Sequence, residues 1–338
     1  MKALSSLPAI LGLTASLLSA SAPAADSSFA PAVLFGLGGK FDKSFNESVY
    51  NGMSRFTADT GVKVQEFEPA NEAQIEQGLR RMASRGANPI IAVGFDEANA
   101  LEKIAREFPR QHFAIVDAVV DLPNVESIVF KEQQGSFLVG ALAAMASKSQ
   151  KIGFIGGMDI SLIRRFGCGY AQGARFINPD ITLFENMTGS TPAAWNNPGK
   201  GAELARSQFD RGADVVFAAA GGTGLGVYQA AADAGKYAIG VDSNQNYLHP
   251  GTMLTSMVKS VDVATYSTFE EAMKGQWHAG VRELGLAKNG VSWADDKYNK
   301  HLVTDHMRDQ LKRIEKGIID GSIQVHDYMT DSHCPPLP

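Results

Sequence analysis

At 338 residues the chain is longer than one hydrophobic core usually serves, so two globular units are expected. Charged residues make up 20% of the sequence, the formal net charge is −5, and lysines and arginines form no cluster. A mildly acidic chain of this kind is poorly suited to phosphate backbones, which argues against a nucleic-acid partner.

The first 25 residues have the pattern of a secretory signal. Lys2 supplies a positive charge, residues 7–18 form an apolar run interrupted only by small residues, and Ala22-Pro23-Ala24 offers a small-residue cleavage site. Residues 1–25 are therefore predicted to be removed on export, to the periplasm in a Gram-negative host. The apolar run is short for a membrane span, and no cysteine near the cleavage site can accept a lipid, so we expect a soluble, unlipidated protein.

From residue 31 onward, short apolar runs alternate with amphipathic segments. The predicted strands are 32–37, 62–68, 89–93, 112–116 and 125–130, and the helices between them are 46–60, 72–85 and 96–108. Strands separated by helices at this spacing indicate a parallel sheet that is covered on both faces.

The same alternation restarts at Lys151. Its predicted strands are 152–155, 182–186, 215–219 and 238–241, and its helices are 163–176, 199–211 and 224–234. Two successive runs of one pattern predict an α/β protein with two similar lobes, each a doubly wound parallel sheet.

The end of the chain departs from this repeat. A strand at 253–258 is followed by one long predicted helix, 261–284, and by a second helix, 305–320. Neither helix has a sheet of its own. We therefore expect both to pack on lobes already formed, which makes the lobes discontinuous and their connection multi-stranded.

The sequence contains two cysteines, Cys168 and Cys334. Export permits a disulfide, but cysteines this far apart in sequence often do not meet, so the sequence favours two unpaired thiols and leaves the bridge open. No Cys/His spacing indicates a zinc site, and neither a metal nor a cofactor is expected.

Polar and glycine-rich loops follow most of the predicted strands. In open parallel sheets ligands bind beyond the carboxyl ends of the strands. The loops at that position are residues 38–46, 94–96, 117, 156–159, 221–224 and 240–244. Carboxylates, amides and aromatic rings from two facing sets of loops suit a neutral polyhydroxylated or heterocyclic solute, and the acidic groups disfavour anions.

Several of these residues also have an ordinary structural interpretation. Asp42 and Asn46 flank a helix start and could act in capping alone. Asp117 and Asp242 end apolar strands, where a turn aspartate is common. Phe45, taken alone, is more typical of a core residue than of a stacking platform.

Catalytic and nucleotide-binding motifs are missing. The glycine run at residues 221–226 fails the dinucleotide pattern because Val227 stands where the last glycine is needed. No nucleophile elbow, zinc-protease motif or phosphate-binding P-loop occurs. The paired carboxylates of a glycosidase have no fixed spacing in sequence, so that alternative stays open, but the sequence favours a protein that is not an enzyme.

An ordered series of short motifs resembles one known family. The motifs are DKSFN at 42–46 with Gly52, GSFLVG at 135–140, GFIGGM at 153–158, RFGCGY at 165–170 with Gly173, VYQAA at 227–231, GVDSNQ at 240–245 and TSMVK at 255–259. Together they resemble the basic membrane protein family of substrate-binding proteins for ABC importers, which includes the purine nucleoside receptors of spirochaetes. The resemblance covers nearly the whole chain after the signal segment.

The resemblance implies a type I periplasmic-binding-protein fold, in which three hinge segments join the two lobes. The crossings are expected near 130–132, 256–261 and after Leu286. We accordingly assign residues 30–130 and 261–290 to the first lobe, 131–257 and 300–328 to the second, and 329–338 to a C-terminal tail.

The resemblance also implies a set of ligand contacts. Phe45 and Trp195 would stack on a base; relatives more often carry phenylalanine near the second position, and tryptophan keeps the stacking chemistry. The other implied contacts are Asp42, Asn46 and Asp117 from the first lobe, and Gly222, Asp242 and Lys259 from the second lobe and hinge.

The implied function is capture of a nucleoside, most often a purine nucleoside, and its delivery to a separate inner-membrane ABC permease by a monomeric receptor. Many relatives are lipoproteins, whereas this chain offers no lipid-accepting cysteine near its start. Two other functions stay open: a receptor of the same fold for a sugar or another heterocycle, and a ligand sensor for a membrane regulator.

Overall fold

The computed structural model describes Met1 and residues 29–335. Apart from Met1, the predicted signal segment lies outside the described residues. In residues 29–146 the strands are β1 (Ala32–Leu34), β2 (Gln65–Phe67), β3 (Ile90–Val93), β4 (Phe113–Val116) and β5 (Val125–Phe130). The helices are α1 (Phe45–Thr60), α2 (Glu72–Ser84), α3 (Ala98–Glu107) and α4 (Glu132–Ala146).

The second run of elements begins at Lys151. Its strands are β6 (Lys151–Met158), β7 (Thr182–Gly189), β8 (Val215–Ala219), β9 (Tyr237–Asp242) and β10 (Met253–Lys259), and its helices are α5 (Ser161–Ile177), α6 (Pro198–Asp210) and α7 (Gly224–Ala234). The chain continues with α8 (Val261–Met273), β11 (Gly280–Leu284), β12 (Val291–Trp293) and α9 (Asp305–Asp320).

The strands form two six-stranded sheets of matching topology. The first has the order β11-β5-β4-β3-β1-β2 and is parallel throughout. The second has the order β12-β10-β9-β8-β6-β7, and only its edge strand β12 is antiparallel. The predicted two-lobed α/β fold is therefore confirmed. Because the orders correspond, β4 in the first lobe is the counterpart of β9 in the second.

The long helix predicted over residues 261–284 is wrong. Helix α8 ends at Met273, and the chain turns at Gly275, whose φ of +68° suits glycine. Residues Gly280–Leu284 then extend into β11, which pairs in parallel with β5 at the edge of the first sheet. The sheet supplies backbone partners that local helical periodicity cannot anticipate.

Helix α4 was not predicted, because it is apolar on nearly every side and so lacks the polar stripe that marks a surface helix. It packs closely against α5. A Cβ atom at Gly140 would collide with the Tyr170 carbonyl, and one at Gly173 with the Phe137 carbonyl. The glycines of two family motifs thus let these helix backbones approach each other.

In the part of the chain that the structure describes, buried apolar side chains form three clusters. One covers an outer face of the first sheet, around Leu34, Ile90 and Ile115, and one covers the corresponding face of the second, around Val216 and Tyr228. The largest cluster runs continuously from the first sheet through α4 and α5 into the second. Within residues 29–335, no helix combines the length and the apolar character that crossing a membrane requires.

Cys168 and Cys334 form a disulfide, which corrects the expectation of unpaired thiols. Their Cα atoms lie 5.5 Å apart although 166 positions separate them in sequence. The segment after α9 folds back along α5, and this long-range packing brings the two thiols together.

Candidate ligand-binding site

A cleft between the lobes lies at the carboxyl ends of both parallel sheets. It encloses about 660 Å³ between its walls, including the mouth that opens to solvent. Of the eight predicted site residues, those lining the cleft are Asp42, Phe45, Asn46, Asp117, Trp195, Asp242 and Lys259. Gly222 lies beside the cleft, and its neighbour Gly221, with a φ of +55°, forms the wall at that loop.

Lys259 ends β10 at the base of the cleft and is buried. Its Nζ lies 2.6 Å from Asp117 Oδ2 and 3.3 Å from Glu132 Oε1, and 4.8 Å from the centre of the Phe45 ring. Burial lowers the pKa of the ammonium, but Asp117, Glu132 and Asp242 together outweigh that effect and hold the pKa above its usual range. The surrounding carboxyls thus favour the charged form of Lys259, which lines the cleft.

Asp117 and Asp242 occupy equivalent positions at the ends of β4 and β9. The Asp117 side chain is 7% exposed and Asp242 is buried, and both residues have left-handed backbones, with φ of +68° and +62°. Such φ values are uncommon outside glycine and often mark binding sites. Asp117 Oδ1 is buried without a protein partner, whereas Asp242 Oδ2 accepts a 2.6 Å hydrogen bond from Ser44 Oγ. Burial raises the pKa of both carboxyls, and Lys259 opposes that shift.

Asp42 both caps helix α1 and lines the cleft. Its carboxylate accepts hydrogen bonds from the backbone amides of Ser44, Asn46 and Glu47, at 2.8, 3.1 and 3.1 Å. Burial raises the pKa of Asp42 to about 7 although these three amides lower it. The Asn46 side chain accepts a 2.9 Å hydrogen bond from the Gly36 amide, which leaves its NH₂ group on the cleft side available as a donor.

Aromatic rings line the cleft from both lobes. Phe45 comes from the first lobe and Trp195 from the second, where the indole lies in space that a Cβ atom at Gly157 would fill. Phe95 meets Trp195 edge to face, with 6.5 Å between ring centres and 69° between ring planes. Phe95 and Phe166 also line the cleft but were not among the predicted contacts. The walls can therefore hold a flat ring by stacking.

Behind the cleft, Lys259 belongs to a line of alternating charges that sequence analysis missed. Glu132 contacts Lys259 and also accepts a 2.9 Å hydrogen bond from Arg165 Nη1. Arg165 in turn donates two hydrogen bonds to the Asp327 carboxylate, at 2.8 and 2.6 Å. No local signal identifies Glu132, because it simply begins α4 after β5.

The lobes are in direct contact beside the cleft. In addition to the Ser44–Asp242 bond, Ser243 Oγ donates to the Ser44 carbonyl at 2.9 Å, and Gln245 Nε2 donates to the Lys43 carbonyl at 2.9 Å. Gln245 is itself held by Tyr228, whose hydroxyl donates to its Oε1 at 2.8 Å. The structure is therefore a closed form of the two lobes.

Curated relatives match most of the chain. The CD4+ T-cell-stimulating antigen of Listeria monocytogenes is 30% identical over 320 residues, which cover 88% of each chain. Basic membrane protein D of Borreliella burgdorferi is 31% identical over 292 residues, or 84% of each chain. The ABC transporter nucleoside-binding protein BmpA of Lactococcus lactis is 29% identical over 317 residues, covering 87% of this chain and 88% of the relative.

Among solved structures, an ABC transporter solute-binding protein of Aeropyrum pernix superimposes with a TM-score of 0.81 at 27% identity, covering 88% of this chain and 92% of that one. Residues 31–328 match the family model described as ABC transporter substrate-binding protein PnrA-like. This chain therefore belongs to the basic membrane protein family of ABC transporter substrate-binding proteins, as its motifs indicated.

Proposed function

We propose that the protein is the periplasmic, unlipidated receptor of an ABC importer, and that it binds a nucleoside, preferably a purine nucleoside, as a monomer. The observation that carries this proposal is the composition of the cleft, where aromatic rings from both lobes adjoin a buried group of carboxylates around one lysine. A nucleoside combines a flat base with a polyhydroxylated sugar, so it matches both parts. The Lactococcus lactis relative named as nucleoside-binding is consistent with this choice.

Each part of the cleft then has a role. The rings of Phe45 and Trp195 hold the base by stacking. Asp117, with one buried oxygen free, and Asp242 accept hydrogen bonds from sugar hydroxyls, and Lys259 favours the ionised form of both carboxyls against the effect of burial. A phosphate group would bring further negative charge among these carboxylates, so nucleosides are preferred to nucleotides.

Ligand capture would stabilise the closed form, because the ligand contacts both lobes only when they meet. Ser44, Ser243 and Gln245 add protein–protein hydrogen bonds to the same state. A membrane permease that recognises the closed arrangement of the two lobes would distinguish loaded from empty receptor.

The test is calorimetric titration of the signal-free protein with inosine, adenosine, guanosine, cytidine, ribose and the free bases. We expect tight binding of purine nucleosides and a loss of about tenfold or more in Phe45→Ala, because base stacking on an aromatic ring contributes about 1–3 kcal/mol. Phe41→Ala removes an aromatic ring that is 59% exposed and does not line the cleft, so this variant should keep wild-type affinity.

A different ligand profile would contradict the nucleoside assignment. If ribose or another sugar binds as tightly as its nucleoside, the base is not recognised and the protein is a sugar receptor. If nucleosides bind but Phe45→Ala and Phe41→Ala behave alike, the stacking role of Phe45 is wrong.

A further inference from the structure

One face of helix α5 is occupied by the end of the chain. Residues 325–334, here named the C-terminal strap, are attached at three points of α5 spaced three and four residues apart: Arg165, Cys168 and Gln172. Residues at this spacing lie on one side of a helix. The Gln172 side chain exchanges two hydrogen bonds with the backbone of His326, at 2.9 and 3.0 Å, and Cys168 is bonded to Cys334.

The first attachment connects the strap to the cleft. The Asp327 carboxylate accepts hydrogen bonds from Nε and Nη2 of Arg165. The remaining nitrogen, Nη1, donates to the Phe130 carbonyl at 2.8 Å and to Glu132 Oε2 at 2.9 Å. Phe130 ends the strand from which the chain crosses between the lobes. Arg165 therefore holds Glu132 and this crossing while Asp327 fixes the orientation of the guanidinium plane.

Glu132 is also a partner of the lysine at the base of the cleft. Its Oε1 lies 3.3 Å from Lys259 Nζ, which in turn contacts Asp117 at 2.6 Å. The side chains of Lys259, Asp117 and Glu132 are 2%, 7% and 1% exposed, so water cannot replace a partner that moves. If the Asp327 carboxylate were removed, Arg165 could donate two hydrogen bonds to Glu132, and Lys259 would lose its contact with Glu132 Oε1.

We propose that Asp327, through Arg165 and Glu132, is a positioning residue for Lys259 and hence for the ligand, so that the C-terminal strap is a functional part of the binding site. The proposal rests on the proposed ligand-binding function of the cleft. It concerns residues behind the cleft, since neither Arg165 nor Asp327 lines it.

The test compares Asp327→Asn with Asp331→Asn. Asp331 lies on the same strap, where it contacts His326 at 3.1 Å and the amide of His333, and it does not touch Arg165. We expect Asp327→Asn to weaken inosine binding about fivefold, within the range of coupling between residues of one network, and Asp331→Asn to leave it within twofold of wild type. Equal affinities of the two variants for inosine would overturn the proposal.

A double-mutant cycle separates positioning from general destabilisation. In a Glu132→Gln background, Asp327→Asn should cost less than twofold in inosine affinity, because the path to Lys259 is already interrupted. A full fivefold loss in that background would show that Asp327 acts by another route, such as loosening of the strap, and would contradict the proposal.

A ligand-free measurement keeps this test independent of the nucleoside assignment. In protein labelled with ¹⁵N-lysine, the buried ammonium of Lys259 should give a slowly exchanging signal that is absent from Lys259→Met. Asp327→Asn should shift this signal or speed its exchange with water, and Asp331→Asn should not. If inosine fails to bind wild type, the proposed ligand is wrong and this signal still decides the role of Asp327; a signal unmoved by Asp327→Asn rejects that role.

Discussion

At the scale of single residues, Lys259 is the central charge of the candidate binding site. Its ammonium is buried between Asp117 and Glu132, with Asp242 close enough to raise its pKa. Removing charges from water costs several kcal/mol for each ion, and an apolar replacement of a whole ion pair is often as stable. The group is therefore poorly explained by stability alone and is consistent with ligand binding.

Replacing Lys259 with methionine leaves the carboxyls of Asp117 and Glu132 buried without their cation. We expect a loss of about 3–5 kcal/mol in the free energy of unfolding at pH 7.5, measured by urea denaturation. Burial already raises the pKa of both carboxyls, and without Lys259 they rise further, so the folded variant holds protons that the unfolded chain releases. Stability of the variant should therefore fall as the pH rises from 5 to 8.

Lys103→Met is the matched control for that substitution, because Lys103 pairs with Glu76 on the exposed surface. Such pairs contribute about 0–1 kcal/mol, and neither stability nor its pH dependence should change measurably. If Lys259→Met becomes more stable as the pH rises, the carboxyls are ionised in the folded variant and the charge assignment at the base of the cleft is wrong.

Site residues that follow strands could be predicted from sequence, whereas their partners could not. Asp117 directly follows β4 and Asp242 is the last residue of β9, at the strand ends where parallel sheets place ligands, and both line the cleft. Glu132 and Arg165 lie on helices, and their importance depends on the packing of α4 against α5. Capping and cleft lining also proved compatible in Asp42, which the sequence could present only as alternatives.

At the scale of elements, the regular alternation of strands and helices could be predicted because each element carries its own periodicity. The prediction of helices and strands failed where tertiary contacts determine the secondary structure of a segment. Residues 280–284 are mostly exposed and become a strand only by pairing with β5, and α4 is too uniformly apolar to show a helical stripe. The disulfide likewise depends on the return of the chain along α5, which no local pattern encodes.

No residue of the C-terminal strap is buried, so its disulfide should matter for stability. Cys168→Ser with Cys334→Ser opens a link between residues 166 positions apart, and loops of this length favour a loss of about 2–5 kcal/mol in unfolding free energy. Urea denaturation of wild type with and without dithiothreitol provides the comparison. Reductant should destabilise wild type and leave the double variant unchanged; equal stability of oxidised wild type and double variant would show that the strap is held by its hydrogen bonds alone.

At the scale of the whole molecule, two sheets of the same topology face each other across the cleft. Equivalent strand ends thereby place both Asp117 and Asp242 near one lysine, Lys259. The loop before α1 and the end of β9 with the loop after it add contacts between the lobes, through the hydrogen bonds of Ser44, Ser243 and Gln245. Closure is consequently supported by protein contacts and is not left to the ligand alone.

Ser243→Ala tests how much these contacts contribute. The Ser243 hydroxyl donates across the lobes to Ser44 and does not line the cleft, so its loss weakens closure without removing a ligand contact. One hydrogen bond contributes about 1 kcal/mol, and apparent affinity scales with the closed fraction. We therefore expect ligand affinity in calorimetric titration to fall by up to about fivefold, by the same factor for every ligand that binds wild type. The radius of gyration of the empty protein in X-ray scattering should increase.

Ser149→Ala is the control, because it removes a hydroxyl that bonds within one lobe and should change neither quantity. A loss that differs between ligands would mean that Ser243 takes part in recognition, and an unchanged affinity would mean that the ligand alone determines closure.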